Sequence, residues 1–297
     1  ATARAGGKVV VNGVAAPSVP FWGTAASNVT FTAEADAGSR FWCWGGDLPA
    51  GADKLSATIT IPADQVRNVI AVFEETDHVP ATVTWKPSTS GMWTDPGNWV
   101  EGVLPQSGDT VYVTNGISNA KPVVTLDCPT PRLGKLVIGN SRGNTGVMTT
   151  LKLSGWTTCV NADEINVQAW GLVNCVGCVP GVESNRVWLA GDSLTVEVNG
   201  WISADNAGWP ALYGPAWRNH TSGQYGTSSA YGQAYGGETG YGAGYPSKWP
   251  EPYGDAKWPY EPGSGSGDTN AKHGPGGGAV FLDFAGAVTI NGKVTAN

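Results

Sequence analysis

The chain has 297 residues, of which 14% are charged, 43 are glycine and 14 are tryptophan. A net charge of −7 with only 17 Lys plus Arg leaves no basic surface for neutralising phosphates, which argues against nucleic acid as a partner. No apolar run approaches the roughly 18 residues of a membrane span, and scarce helix formers exclude a coiled coil or a helical bundle.

Residues 8–75 read as a small β module. Lys8–Gly13 is a strand closed by an Asn-Gly turn signal. Asn28–Glu34 alternates apolar and polar residues, as a half-buried strand does. Phe41-Trp42-Cys43-Trp44 places aromatics at period two before Gly45-Gly46-Asp47, and Leu55–Ile61 and Asn68–Phe73 supply two more strands. This order of segments resembles the divergent bacterial repeat module related to internalin B repeats. The resemblance implies that the aromatic–Trp–Gly element packs the core, that the Val-x-Ala-x-Phe strand closes it, and that the module is a surface spacer or adhesion unit without catalysis.

A boundary is expected near Asp77-His78-Val79-Pro80. Trp85, Trp93 and Trp99 then each mark a short turn, with Gly91, Gly102, Pro105 and Gly108-Asp109 fixing the bends. The stretch resembles the opening of extracellular β-helix proteins, including autotransporter-like passenger repeats, and that likeness implies an N-terminal cap over 84–112.

Beyond the cap the chain repeats itself. Val187–Asn206 aligns with Val280–Asn297 through shared Asn-Gly corners at Asn199-Gly200 and Asn291-Gly292. Weaker copies run through Leu133–Gly139, Leu151–Gly155 and Ile165–Ala169. Short strands joined by tight corners at about 15–25-residue spacing predict a parallel β-solenoid, whose coils cover one another's apolar faces. Gly276-Gly277-Gly278 before a strand, followed by an Asn-Gly strand, resembles large bacterial surface β-helices. With no targeting segment at either end and a strand repeat running up to Asn297, the chain is expected to be a piece of a longer protein.

Between the two best copies, residues 209–275 hold eight of the nine tyrosines amid Gly, Ser and Pro. So long a stretch without strand pattern inside a domain is usually functional or disordered. Trp and Tyr faces stack on sugar rings, so Trp209, Tyr213, Trp217, Tyr241, Tyr245, Trp249, Tyr253 and Trp258 are the candidate ligand contacts.

Three reactive constellations compete with plainer readings. Gly139-Asn140-Ser141-Arg142-Gly143 fits a nucleophile elbow, which needs a helix behind it, whereas Asn144–Leu153 reads as a turn and a strand. His220, Glu238, Glu251, Asp255, Glu261, Asp268 and His273 could supply acid, base or cation ligands on a polysaccharide-cleaving flank, but no spacing identifies a pair. The glycine runs lack the Gly-Lys-Ser/Thr of a phosphate loop. The five cysteines, including Cys175-x-x-Cys178, lack a second ligand pair for zinc and read as buried small residues or a local disulfide. Trp42, Trp44, Trp93, Trp99, Trp156, Trp170, Trp188 and Trp201 read as core or cap residues.

The expected fold is all-β: a module over 1–77, then a right-handed parallel β-helix over 78–297. The helix would comprise a cap at 84–112, coils at 113–208, an aromatic Gly-rich excursion at 209–275 and a last coil at 276–297. The expected function is a secreted or cell-surface bacterial structural or adhesive protein, without catalysis, cofactor or metal, that contacts glycans or other surface proteins. The alternatives are a polysaccharide lyase or glycosidase on the same scaffold, and a subunit that self-assembles into a surface layer or filament.

Overall fold

A computed structural model describes residues 2–3, 5–16, 27–49, 52–65, 67–114, 120–139, 146–180, 185–211, 213–214, 257, 261–265 and 274–297. Among them the fold is all-β, with one 3-10 turn at Pro96–Asn98. No helix among them is long and apolar enough to cross a membrane.

The N-terminal module is built from β1 (Thr2–Ala3), β2 (Gly7–Val11), β3 (Val14–Ala16), β4 (Asn28–Ala35), β5 (Ser39–Gly46), β6 (Thr58–Pro62) and β7 (Val69–Glu75). Asn12 and Gly13, at φ 48° and 81°, form the expected tight turn between β2 and β3. β3, β2, β4 and β6 make an antiparallel sheet, and β5 pairs antiparallel with β7, whose other edge carries β1. Phe31, Phe41, Phe73 and Trp44 close the core between these sheets, and the Trp44 indole N–H donates to Ser56 O at 2.8 Å.

The period-two reading of Phe41–Trp44 fails at one point. The β5–β7 register shifts between Phe41 and Cys43, a bulge that turns Phe41 and Trp44 into the module core and Trp42 and Cys43 outward. Those two meet Ile70, Val72, Leu104 and Cys128 in a second apolar cluster. β7 is thus buried on both faces, which is why Val69–Phe73 is continuously apolar rather than alternating.

Among the remaining described residues there are two parallel sheets, and successive strands alternate between them except that β18 and β19 both lie in the first. One holds β8 (Thr82–Thr84), β10 (Thr110–Thr114), β12 (Leu133–Gly139), β14 (Val160–Val167), β16 (Arg186–Val196), β18 (Ala279–Phe284) and β19 (Val288–Ile290). The other holds β9 (Gly91–Met92), β11 (Val123–Leu126), β13 (Thr149–Leu153), β15 (Gly171–Cys175), β17 (Trp201–Ser203) and β20 (Lys293–Thr295). Until the long insertion after β17, in-sheet neighbours come about 25–29 residues later in the first sheet and about 22–33 in the second, mostly a longer step than the expected 15–25. Each in-sheet step spans a strand of the other sheet as well, which lengthens it.

Alternation supplies the core. Val83, Val111, Leu136, Ile165, Leu194 and Val288 stand in one register column. Val124, Leu151, Val173, Ile202 and Val294 form a second column in the facing sheet. Gly134, Asp163 and Asp192 stand at one level of the first sheet where the pairing skips a residue without a change of register, and Arg132 bonds to Asp163 (2.6 Å) and Asp192 (2.8 Å) beside it. At another corner Trp170 and Asn199 take φ 63° and 64°, and Trp170 N–H donates to Asn199 O at 2.8 Å.

At the β8/β9 end, Trp85, Trp93 and Trp99 join the buried core, with ring centroids of Trp99 5.0 Å from Trp85 and 4.8 Å from Trp93. Asp109, buried behind Gly108, ties this end together. Its carboxylate is hydrogen-bonded to His78 Nε2 (2.6 Å) and accepts from the N–H groups of Ala81 and Gln106, each at 2.8 Å.

Candidate functional site

The pairing of β16 with β18 matches the internal repeat residue for residue. Val187, Trp188 and Leu189 sit beside Val280, Phe281 and Leu282, although the long insertion separates them in sequence. Val187 and Leu189 point into the core, so Arg186 and Trp188 point out. The neighbouring strand then sets Phe281 against Trp188, ring centroids 5.7 Å apart.

Arg186 is the centre of this outer patch. Its guanidinium carbon lies 4.3 Å from the Trp156 ring centroid, 4.2 Å from that of Trp188 and 5.6 Å from that of Phe281. Its Nε–H donates to the Trp156 carbonyl at 2.9 Å. Among the described residues no carboxylate pairs with it, and burial among the rings pushes its pKa below the ordinary arginine value. Cation–π contact replaces some of the lost hydration. The Trp188 indole N–H is buried without a hydrogen-bond partner. Cys159 lies in the same neighbourhood, its thiol pushed up to about 12 by burial.

Trp44, Trp93 and Trp99 are buried as the sequence suggested, but Trp188 and Trp201 are not core residues. Both occupy outward positions of alternating strands, and Lys293 Nζ lies 5.1 Å over the Trp201 ring.

Of the eight expected ligand contacts, Trp209 and Tyr213 are described; Trp217, Tyr241, Tyr245, Trp249, Tyr253 and Trp258 lie outside the described residues. Trp209 and Tyr213 sit where three backbone runs meet. Trp209 N–H donates to Gly263 O (2.9 Å), Gly276 N–H to Trp209 O (3.0 Å), and Gly265 N–H to Tyr213 O (3.0 Å). A Cβ on Gly276 would fall 2.4 Å from Gly263 O, so that glycine serves close backbone approach. Tyr213 is half-exposed, whereas the Trp209 indole N–H is buried and unpartnered.

Ser141 of the elbow-like pattern lies outside the described residues, and the chain beyond it forms strand β13 rather than the helix an elbow requires. Of the acidic and imidazole groups proposed for catalysis, only Glu261 is described. Among the described residues no three His, Cys, Asp or Glu side chains gather as metal ligands. All five cysteines are buried free thiols.

Arg186 escaped the sequence reading because its partners come from three separated segments. The outward position of Trp188 between Val187 and Leu189 was the available signal. Compared with known protein families, curated proteins and solved structures, the chain matches none.

Proposed function

We propose that residues 78–297 form a right-handed parallel β-helix, and that the chain is a non-enzymatic structural or adhesive part of a secreted or cell-surface bacterial protein that contacts glycans. The observation carrying this reading is the unbroken register of aliphatic columns, six deep on one sheet and five on the other. Strand-on-strand stacking of this kind makes a stiff column and displays outward side chains on flat flanks. The half-buried rings of Trp188 and Phe281 and the more exposed ones of Trp201 and Tyr213 suit ring stacking on sugars. A glycan array probed with the whole chain tests the reading. Binding is expected to survive loss of any single carboxylate and to fall when Trp209 and Tyr213 are both changed to alanine. An array without binding to any glycan removes the glycan-contacting reading.

A second reading, assembly through the last strands, is favoured by one observation. Val288, Ile290 and Val294 are 46%, 45% and 37% exposed, while their register partners Leu194, Val196 and Ile202 are buried. Concentration-dependent light scattering, abolished by Ile290→Asp, is the result that would support it.

A further inference from the structure

We infer that Arg186 and its surrounding rings form a subsite for a singly charged acidic sugar, a uronate carboxylate or a sulfate ester borne on an extended polysaccharide. The inference rests on the glycan-contacting reading above and narrows its ligand class.

A guanidinium offers five N–H donors, and its carbon lies over two aromatic rings, 4.3 Å from the Trp156 centroid and 4.2 Å from that of Trp188. Trp156 O takes the Nε–H. Among the described residues the two terminal nitrogens have no hydrogen-bond partner, which leaves a fork that matches an oxyanion bidentately. The rings hold this fork in place, so an anion meets a donor pair already oriented and already stripped of part of its water. The neighbouring surface is aromatic. Trp188 and Phe281 stand on adjacent strands with their rings edge to face, centroids 5.7 Å apart, and both are half-buried. One fork beside aromatic rings is the complement of one charge on a sugar with apolar C–H surface.

A nucleic acid or an acidic peptide fits less well. Phosphodiester binding needs several clustered cations where the patch has one, and an acidic peptide brings no C–H ring face for the neighbouring aromatic rings.

The test is calorimetric titration of the whole chain with oligogalacturonate, its methyl ester, a chondroitin sulfate oligosaccharide, a neutral cello-oligosaccharide and polyglutamate. The free acid or the sulfated oligomer is expected to bind at least about tenfold more tightly than uncharged sugars. Whichever of the two shows the preference identifies the anion. Arg186→Gln is expected to abolish that preference, and Arg186→Lys, which keeps charge without the fork, is expected to restore only part of it. Equal binding of the oligogalacturonate and its ester, together with equal binding of sulfated and neutral oligomers, overturns the subsite and leaves the broader glycan reading standing. Equal or tighter binding of polyglutamate overturns the sugar class. Binding of no saccharide at all removes both. The acid-against-ester comparison needs no variant, so it decides the matter even if Arg186→Gln fails to fold.

Discussion

The Asp127 carboxylate, just past the end of β11, accepts the backbone N–H of Gly46 in the N-terminal module at 2.7 Å. Lys54 donates to the carbonyl of the same residue, and Trp42 donates from its indole N–H to Pro129 O at 2.8 Å. Module and parallel-sheet body therefore share polar bonds around a buried apolar cluster, rather than meeting at a bare linker.

Asp127 is buried, one of its oxygens has no partner, and desolvation holds its pKa above the ordinary 3.8 despite the Gly46 bond and the nearby Lys54. A carboxyl whose folded pKa is raised contributes stability that is complete below pH 3.8 and is lost as pH rises through the folded value. Asp127→Asn keeps an acceptor for Gly46 without the charge. Its stability is expected to equal or exceed wild type at neutral pH, with the advantage disappearing below pH 3.8. Asp127→Ala strands the Gly46 N–H and is expected to cost about 1–3 kcal/mol. Urea unfolding at pH 7 and at low pH measures both.

Trp99 meets Trp85 and Trp93 edge-on and donates its indole N–H to Trp93 O at 2.9 Å. Trp99→Phe preserves an apolar ring and loses the donor, with an expected cost of about 1–3 kcal/mol. Trp99→Ala leaves a cavity at the end of the core and is expected to cost about 3–5 kcal/mol. The denaturant midpoints should fall in that order, and a Phe variant as damaging as the Ala variant would assign the effect to the hydrogen bond instead of the packing.

The Asn199-Gly200 corner separates two kinds of backbone demand. A Cβ on Gly200 would sit 2.5 Å from Val167 O, so Gly200→Ala is expected to lower the melting temperature through steric pressure worth about 1–3 kcal/mol. Asn199, at φ 64°, needs tolerance of the left-handed region rather than space. Asn199→Gly is expected to be near neutral, while Asn199→Ala costs about 1 kcal/mol. Differential scanning calorimetry of the three variants distinguishes the two demands.

Burial pushes the Cys159 and Cys175 thiols up to about 12 from an ordinary 9.0. Little thiolate exists at neutral pH, so iodoacetamide is expected to modify neither residue in the folded protein at pH 8, while five cysteines react in denaturant. A thiol with a raised folded pKa contributes stability that is complete below pH 9.0 and lost as pH climbs towards about 12. Melting temperatures across that alkaline range should decline, and less steeply for Cys159→Ser plus Cys175→Ser.

Several of these relationships were readable beforehand, and for identifiable reasons. Asn28–Glu34 alternates because one face of β4 is buried, and the Asn12-Gly13 turn follows from the chemistry of left-handed φ. The match of Val187–Leu189 to Val280–Leu282 placed β18 beside β16 because identical slots in a stacked ladder select the same side chains. The bulge at Trp42 was hidden, since nothing local separates a residue facing the module from one facing the body. Of the aromatic excursion, only Trp209 and Tyr213 among the named contacts can be compared with their expected place.

Local pattern thus dictated an all-β chain, most of its strand positions and its turn chemistry, because alternation and left-handed corners are properties of a few adjacent residues. Tertiary structure alone decided that Arg186 faces Trp156, Trp188 and Phe281, and that Asp127 reaches Gly46. Those partners come from strands and loops far apart along the chain, brought together only when parallel stacking sets their register. No periodicity within any one segment carries that information.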